Sequence, residues 1–304
     1  MDRGTTMESF AFEAPTSLDA ALTLLDERTR ADVRTQLLAG GTDLMVQLRS
    51  VDPSPRLIVD IKRIPETRAL ELDAEGLVLG SAVPGAEITA RDDIAALYPG
   101  LVEAVDLIGS TQIQGRASVG GNLCNASPAG DTIPALIVND ARCVIASKAG
   151  RRELPVDAFV TGVGRNALAP GEMLVALRFP HPGAHSGDAY LRFIPRSEMD
   201  IAVASAGVRL SVDGAGRITA ARVAIGAVAV TALDVPEAAA ALIGTTGDEP
   251  AMAALAAACS AAAKPITDKR GTIEYRQRVV GVLARRAATT ALARALSRAR
   301  GENA

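Results

Sequence analysis

The sequence has 304 residues, a formal net charge of −3, and 48% hydrophobic but only 3% aromatic residues. Its 32 basic and 35 acidic residues are mixed along the chain, which argues against nucleic acid as a partner. Three cysteines cannot alone ligate a four-cysteine iron–sulfur cluster, and so small and odd a number is typical of a cytoplasmic protein. No apolar run reaches the roughly 20 residues of a spanning helix, so we expect no membrane insertion.

Strands and helices alternate along the first part of the chain, up to about residue 180. Ser17 is predicted to cap a first helix with an apolar stripe, and a strand over 36–38 leads through two glycines into a second helix. A buried strand over 57–61 precedes a hairpin over 69–79. The elements predicted after this hairpin are a helix over 94–108, a glycine-rich stretch over 115–130, a helix over 132–139, and strands over 142–146 and 174–179.

The pattern changes in the last third of the chain. Residues 180–188 (PHPGAHSGD) are the best candidate for a linker between domains. Beyond them the strands come first and the helices follow, an order typical of α+β domains. We therefore predict an α+β protein with one domain over 7–180 and a second over 188–300. The predicted elements of the second domain are strands over 201–211 and 218–230 and helices over 235–242, 250–263 and 272–298.

The segment LLAGGTDL, from Leu37 to Leu44, is the first with a pattern that suggests a function. Two glycines between a strand and a helix permit positive φ angles and a close approach to the backbone. The amides that follow lie at a helix N-terminus, where an anion is favoured, and Thr42 adds a hydroxyl donor. Tight turns that bind nothing have the same pattern, so the segment alone leaves both interpretations open.

A second glycine-rich segment, SVGGNLCNASPAGD, spans residues 118–131. Its small residues predict an irregular loop, whose backbone amides need partners outside regular secondary structure. A bound diphosphate would satisfy several of these amides at once, although an ordered loop capped by its own Asn and Ser side chains would do the same. Neither segment matches the GxGxxG pattern of dinucleotide-binding folds or the P-loop pattern.

In this order, LLAGGTDL and ASVGGNLCNASPAGD resemble the FAD-binding subunit or domain of the xanthine dehydrogenase and carbon monoxide dehydrogenase family of molybdenum hydroxylases. FAFEAPTSLDAALTLL resembles the family's N-terminal pattern, PRSEMDIAVASAGVRL the start of its C-terminal domain, and ITDKRGTIEYRQRVVGVLARRA its closing helix. The resemblance extends from about residue 10 to residue 287. It implies FAD bound between two subdomains, about 7–56 and 57–180, in the fold of vanillyl-alcohol oxidase and p-cresol methylhydroxylase, followed by a smaller α+β C-terminal domain.

The resemblance also implies roles for single residues. Asp131 matches the family's acid near the adenosine ribose, although it could instead cap the following helix. Arg192 stands where the family has a lysine near the flavin ring, although a surface arginine would fit the same pattern. Cys124 fits a small buried thiol better than a redox nucleophile. No catalytic or metal-binding residue is expected, and the residues implied to bind FAD are Leu37, Leu38, Ala39, Gly40, Gly41, Thr42, Asp43, Leu44, Ile108, Gly109, Thr111, Ala117, Ser118, Gly120, Gly121, Asn122, Cys124, Asp131, Leu174 (against the adenine) and Arg192.

Electron transfer is the activity that the resemblance implies. A large molybdopterin-binding subunit would oxidise the substrate, and FAD would receive the electrons from the [2Fe–2S] clusters of a small subunit. FAD would then pass them to NAD, oxygen or a quinone. The complete enzyme would be a dimer of heterotrimers. A stand-alone FAD-dependent oxidoreductase of the same fold and a non-catalytic nucleotide-binding protein remain open as alternatives.

Overall fold

The computed structural model describes residues 10–48 and 56–301. Its N-terminal part consists of β1 (Ala11–Glu13), α1 (Leu18–Arg30), β2 (Arg34–Leu38), α2 (Leu44–Gln47) and β3 (Arg56–Asp60). The three strands form a parallel sheet in the order β1-β3-β2. Ser17 begins α1 as predicted, because its Oγ accepts a hydrogen bond of 3.3 Å from the amide of Ala20. The buried face of α1 shares a core with β3.

The next part of the chain is built around a five-stranded antiparallel sheet. Its strands are β4 (Leu70–Leu72), β5 (Gly76–Gly80), β6 (Arg142–Ser147), β7 (Gly150–Pro155) and β10 (Met173–Pro180), and the sheet order is β4-β5-β10-β6-β7. A short hairpin, β8 (Val160–Gly162) and β9 (Arg165–Asn166), lies between β7 and β10 in the chain. The helices are α3 (Gly85–Thr89), α4 (Asp92–Leu97), α5 (Pro99–Asp106), α6 (Thr111–Gln114), α7 (Val119–Asn125) and α8 (Thr132–Val138).

The C-terminal part is an antiparallel sheet covered by helices, as the order of its predicted elements indicated. The sheet has the order β11-β12-β13-β14, and its main core cluster lies between the strands and the last two helices. That core is rich in alanine, which lets helix and sheet approach closely. The elements are β11 (Ser186–Phe193), β12 (Ala204–Val212), β13 (Ile218–Gly226), β14 (Leu233–Asp234), α9 (Pro236–Ala240), α10 (Glu249–Ala262) and α11 (Ile273–Ala299).

Three predictions of local structure need correction. The helix predicted over 94–108 is two helices, α4 and α5, which meet at Tyr98 because Pro99 has no amide hydrogen and begins a new helix. The predicted linker over 180–188 is shorter, because β10 reaches Pro180 and β11 already begins at Ser186. The segment 118–131, predicted to be irregular, contains the helix α7.

The side chain and backbone of a buried aspartate, Asp188, join the first strand of the C-terminal sheet to α5, α8 and α11. Asp188, 2% exposed, accepts hydrogen bonds from Asn139 Nδ2 (2.8 Å) and the amide of Gly100 (3.1 Å). Arg294 donates to the carbonyl of Asp188 (2.7 Å) and to the carboxylate of Glu103. Burial raises the pKa of Asp188 to about 6. These polar contacts fix the position of the C-terminal sheet on the preceding helices. Within residues 10–48 and 56–301, no helix is long and apolar enough to cross a bilayer.

Candidate active site: a cleft between two glycine-rich segments

A cleft of about 430 Å³ separates the two glycine-rich segments identified in the sequence. One side is the turn from β2 into α2, and the other is α7 with the two residues before it. The residues that line the cleft are Thr35, Gln36, Leu37, Ala39, Gly40, Gly41, Thr42, Asp43, Leu44, Gln47, Ile61, Ser81, Ile108, Ala117, Ser118, Gly120, Gly121, Asn122, Cys124, Asn125, Gly164, Leu168, Glu172 and Leu174.

The first glycine segment packs directly against the chain that precedes the second one. A Cβ at Gly40 would lie only 1.9 Å from the carbonyl oxygen of Arg116, so this position accepts no side chain. Gly41 has a φ of +80°, in the left-handed region that glycine adopts without strain. The two glycines therefore serve different purposes: Gly40 allows the close approach, and Gly41 turns the backbone into α2.

In the first glycine segment, the backbone carbonyl oxygens of residues 39–41 have hydrogen-bond partners, whereas the backbone amides of residues 40–43 have none in the described chain. Its carbonyl oxygens are occupied: Ala39 accepts from Lys62 Nζ (3.0 Å), Gly40 from Arg116 Nε (3.5 Å) and Gly41 from the amide of Met45 (3.0 Å). In contrast, the amides of residues 40–43 donate no hydrogen bond to any other residue that the structure describes. Residues 40–42 are half-buried and Asp43 is exposed. Because amides withdrawn from water are normally paired, this row of donors is suited to an anionic ligand.

The first half of the second glycine segment is helical, contrary to the prediction of an irregular loop. Ser118 begins α7, and its Oγ accepts a hydrogen bond of 3.1 Å from the amide of Gly121. A Cβ at Gly120 would lie 2.5 Å from the carbonyl oxygen of Ser81, the residue after β5. Position 120 therefore requires glycine. α7 ends at Ala126, whose φ of +49° is left-handed. The cap and this close packing outweigh the poor helix propensity of the glycines.

The cleft contains acidic side chains but no lysine or arginine among the described residues that line it. Glu172 is paired with Arg152 at 2.7 Å. Burial raises the pKa of Asp43 above its usual value. Lys62 and Arg116 contact the first glycine segment through its carbonyl oxygens and do not line the cleft. A diphosphate in the cleft would therefore be held by amides and hydroxyls.

Ser81 is a residue of the cleft that sequence reasoning missed. Its Oγ is buried and has no hydrogen-bond partner in the described chain, although it lines the cleft. A buried hydroxyl without a partner is unfavourable unless a ligand or water supplies one, so Ser81 fits a cofactor rich in oxygen atoms. Gln47 and Asn125, which line the cleft and bond each other at 3.1 Å, were also missed. Ser81 and Gln47 stand in no motif that would have singled them out, whereas Asn125 lies within the second glycine segment.

Most of the predicted FAD-binding residues line the cleft, including Ile108 and Leu174, which lie outside both glycine segments in the sequence. Cys124 is half-buried, and desolvation raises the pKa of its thiol to about 12, which keeps it protonated and argues against a nucleophile. The predicted residues that do not line the cleft are Leu38, Gly109, Thr111, Asp131 and Arg192.

Asp131 and Arg192 form a buried ion pair with each other. The distance between Asp131 Oδ2 and Arg192 Nη1 is 2.8 Å, and the side chains are 13% and 4% exposed. Burial raises the pKa of Asp131 to about 6, although the nearby guanidinium acts in the opposite direction. Asp131 makes no capping hydrogen bond to α8, and Arg192 is not on the surface, so both non-functional alternatives are wrong. The roles of this pair toward FAD stay predictions.

Two family profiles match the chain. Residues 8–182 match "FAD binding domain in molybdopterin dehydrogenase", and residues 189–291 match "CO dehydrogenase flavoprotein C-terminal domain". The domain types and the α+β class predicted from the sequence are thereby confirmed. The further likeness to vanillyl-alcohol oxidase stays a prediction.

Similar proteins include the carbon monoxide dehydrogenase medium chain of Afipia carboxidovorans, 32% identical over 94% of this chain and 98% of that one. The xanthine dehydrogenase FAD-binding subunit of Escherichia coli O157:H7 is 33% identical over 73% and 75% of the respective chains. The solved carbon monoxide dehydrogenase of Hydrogenophaga pseudoflava superposes with a TM-score of 0.87 at 32% identity, over 94% of this chain and 98% of that one. This chain therefore belongs to the oxidoreductase family of carbon monoxide dehydrogenase and xanthine dehydrogenase, in which it is an FAD-binding medium subunit with FAD as its cofactor.

Proposed function

We propose that the chain is the electron-transferring flavin component of a heteromeric molybdenum hydroxylase. It receives electrons from [2Fe–2S] clusters on a small partner subunit and delivers them to NAD, oxygen or a quinone-type acceptor. The observation that carries this proposal is the cleft lined by residues 40–43, whose four consecutive amides have no partner in the described chain. Such a row of donors suits the diphosphate of FAD.

FAD supplies the chemistry when bound, because its flavin can exchange one or two electrons. The protein's contribution is to bind and orient it. The amides of residues 40–43 would hold the diphosphate on one side, and Ser81 and Ser118 would offer hydroxyls on the other. Leu174, 2% exposed, would pack against the adenine. The contacts of Asp131 with the adenosine ribose and of Arg192 with the flavin ring remain part of this proposal, although neither side chain lines the cleft.

The composition of the chain supports partner subunits. Its three cysteines are too few for the two clusters of a molybdenum hydroxylase, and all three are free thiols. Relatives such as the carbon monoxide dehydrogenase medium chain are named as one chain of a larger enzyme. We infer a small [2Fe–2S] subunit and a large molybdopterin-binding subunit, arranged as a dimer of heterotrimers in the cytoplasm.

The test is a visible spectrum and an FAD titration of the purified chain, followed by affinity purification of the tagged chain from its own host. We expect one FAD per chain, no iron absorbance from the chain alone, and co-purification of a cysteine-rich and a molybdopterin-binding chain. A colourless protein that fails to bind added FAD would refute the flavin assignment. A flavin-loaded chain that oxidises a substrate without partners would refute the subunit assignment and favour a stand-alone oxidoreductase.

A further inference from the structure

Lys62 lies behind the first glycine segment, outside the cleft. Its Nζ donates to the carbonyl oxygen of Ala39 at 3.0 Å and to Asp60 Oδ1 at 2.8 Å, and its side chain is 27% exposed. Asp60 is the last residue of β3 and is itself mostly buried, at 16% exposure. Its Oδ1 also accepts the amide of Lys62 at 3.0 Å. The ammonium group is thus held in one place by a buried strand end.

Because the peptide group is planar, the bond from Lys62 to the Ala39 carbonyl also fixes the direction of the Gly40 amide. In a trans peptide the C=O and N–H bonds point in opposite directions, and no described peptide bond is cis. The carbonyl of Ala39 points to Lys62, so the amide of Gly40 points away from it. That amide belongs to the row of donors without a partner, and Gly40 lines the cleft, whereas Lys62 does not.

We propose that Lys62 is a positioning residue for FAD: it fixes the Ala39–Gly40 peptide so that the Gly40 amide is aimed at the diphosphate. This inference rests on the proposed binding of FAD in the cleft. Two other acceptors within the segment are occupied as well, by Arg116 and by the amide of Met45. Of the three donors, Lys62 is the one whose side chain is anchored by a second bond to a buried strand, so it contributes most to fixing the orientation.

Lys62→Met keeps the length of the side chain and removes the donor. We expect it to raise the dissociation constant for FAD about 10-fold, the typical loss for one hydrogen bond to a charged group. Lys62→Arg retains a donor for the Ala39 carbonyl, and we expect it to restore most of the affinity. Lys148→Met is the matched control, because Lys148 Nζ also makes two contacts of 2.8 Å, to Asp19 and Thr23, but none to the first glycine segment.

The assay is FAD titration of the full chain, followed by flavin fluorescence, at low and high salt. A positioning role predicts the same ratio of affinities between wild type and Lys62→Met at both salt concentrations, and an unchanged spectrum of the bound flavin. A difference that disappears at high salt would overturn the proposal, because Lys62 would then act as a distant charge. Equal affinities of Lys62→Met and wild type would also overturn it. If the wild-type chain itself bound no FAD, the proposed function would be refuted first, and this inference with it.

Discussion

Gly40 is the position at which the structure predicts the largest effect of a single methyl group. A Cβ added there would lie 1.9 Å from the carbonyl oxygen of Arg116 and 2.6 Å from its carbonyl carbon. A carbon–oxygen contact needs about 3.3 Å, so Gly40→Ala must move one of the two backbones by roughly 1.4 Å. Gly40 and Ala117, the residue after Arg116, both line the cleft, so either movement changes its shape.

The expected magnitude follows from two separate losses. Overpacking of a tight site costs about 1–3 kcal/mol of folding free energy, so we expect Gly40→Ala to lower the unfolding free energy by about 2 kcal/mol. Moving the first glycine segment also misplaces two or more of the amides of residues 40–43. At about 1.5 kcal/mol for each hydrogen bond to a charged group, FAD affinity should fall by at least roughly 100-fold. Denaturation of the FAD-free protein and titration with FAD measure the two losses separately.

Two further glycine variants distinguish folding from binding. Gly121→Ala adds a methyl group whose nearest contact is Ser118 Oγ at 3.0 Å, and it replaces a glycine inside α7. We expect it to keep its stability but to bind FAD more weakly, because Gly121 lines the cleft. At Gly214 an added Cβ would meet nothing within 4 Å. Gly214→Ala should therefore change stability by less than about 0.5 kcal/mol. Wild-type stability and FAD affinity in Gly40→Ala would contradict the close approach on which this reasoning depends.

Three predictions concern stability. Burial raises the pKa of the Asp188 carboxyl from 3.8 to about 6, so the folded state binds a proton at this group more tightly than the unfolded state does. Protonated Asp188 therefore adds to the free energy of unfolding at low pH, and this contribution is lost as the pH rises from about 4 to about 6. Asp188→Asn should remove this step from melting temperatures measured across that range. Arg192→Leu should lower the unfolding free energy by about 3–5 kcal/mol at pH 8, since it leaves Asp131 buried without its cation, and Arg192→Lys should lose less. Gly281→Ala should lower the unfolding free energy by about 1–3 kcal/mol, because the added Cβ would lie 2.7 Å from a carbonyl oxygen of α10. Val282 is exposed, so Val282→Ala should have little effect in the same denaturation assay.

Local patterns predicted much of the fold because they act over a few residues. Ser17 caps α1 through the amide three residues later, and the strands predicted over 201–211 and 218–230 correspond to β12 and β13. The two glycine segments could be recognised as a pair because each has a local pattern of its own. The order of strands and helices was then enough to predict the α+β class.

Contacts between distant parts of the chain could not be predicted in this way. Arg116 reaches the carbonyl of Gly40 across 76 residues of sequence, and Arg192 pairs with Asp131 across 61. Neither pair stands in a spacing that signals contact. α7 was missed for the same reason, since what stabilises this glycine-containing helix includes its packing against Ser81, more than 30 residues earlier in the chain.

The chemistry of the cleft explains why net charge and composition showed no sign of an anion site. No lysine or arginine lines the cleft in the described part of the chain, and the cations nearest to the first glycine segment bind its carbonyl oxygens from outside. Lys62 and Arg116 therefore act on the orientation of peptide groups, whose amides carry the partial positive charge that an anion needs. Affinity for a diphosphate then depends on backbone geometry. That geometry depends in turn on glycines that allow close packing and on side chains outside the cleft that do not contact the ligand. For this reason Gly40→Ala and Lys62→Met, which remove no contact side chain, are expected to weaken FAD binding.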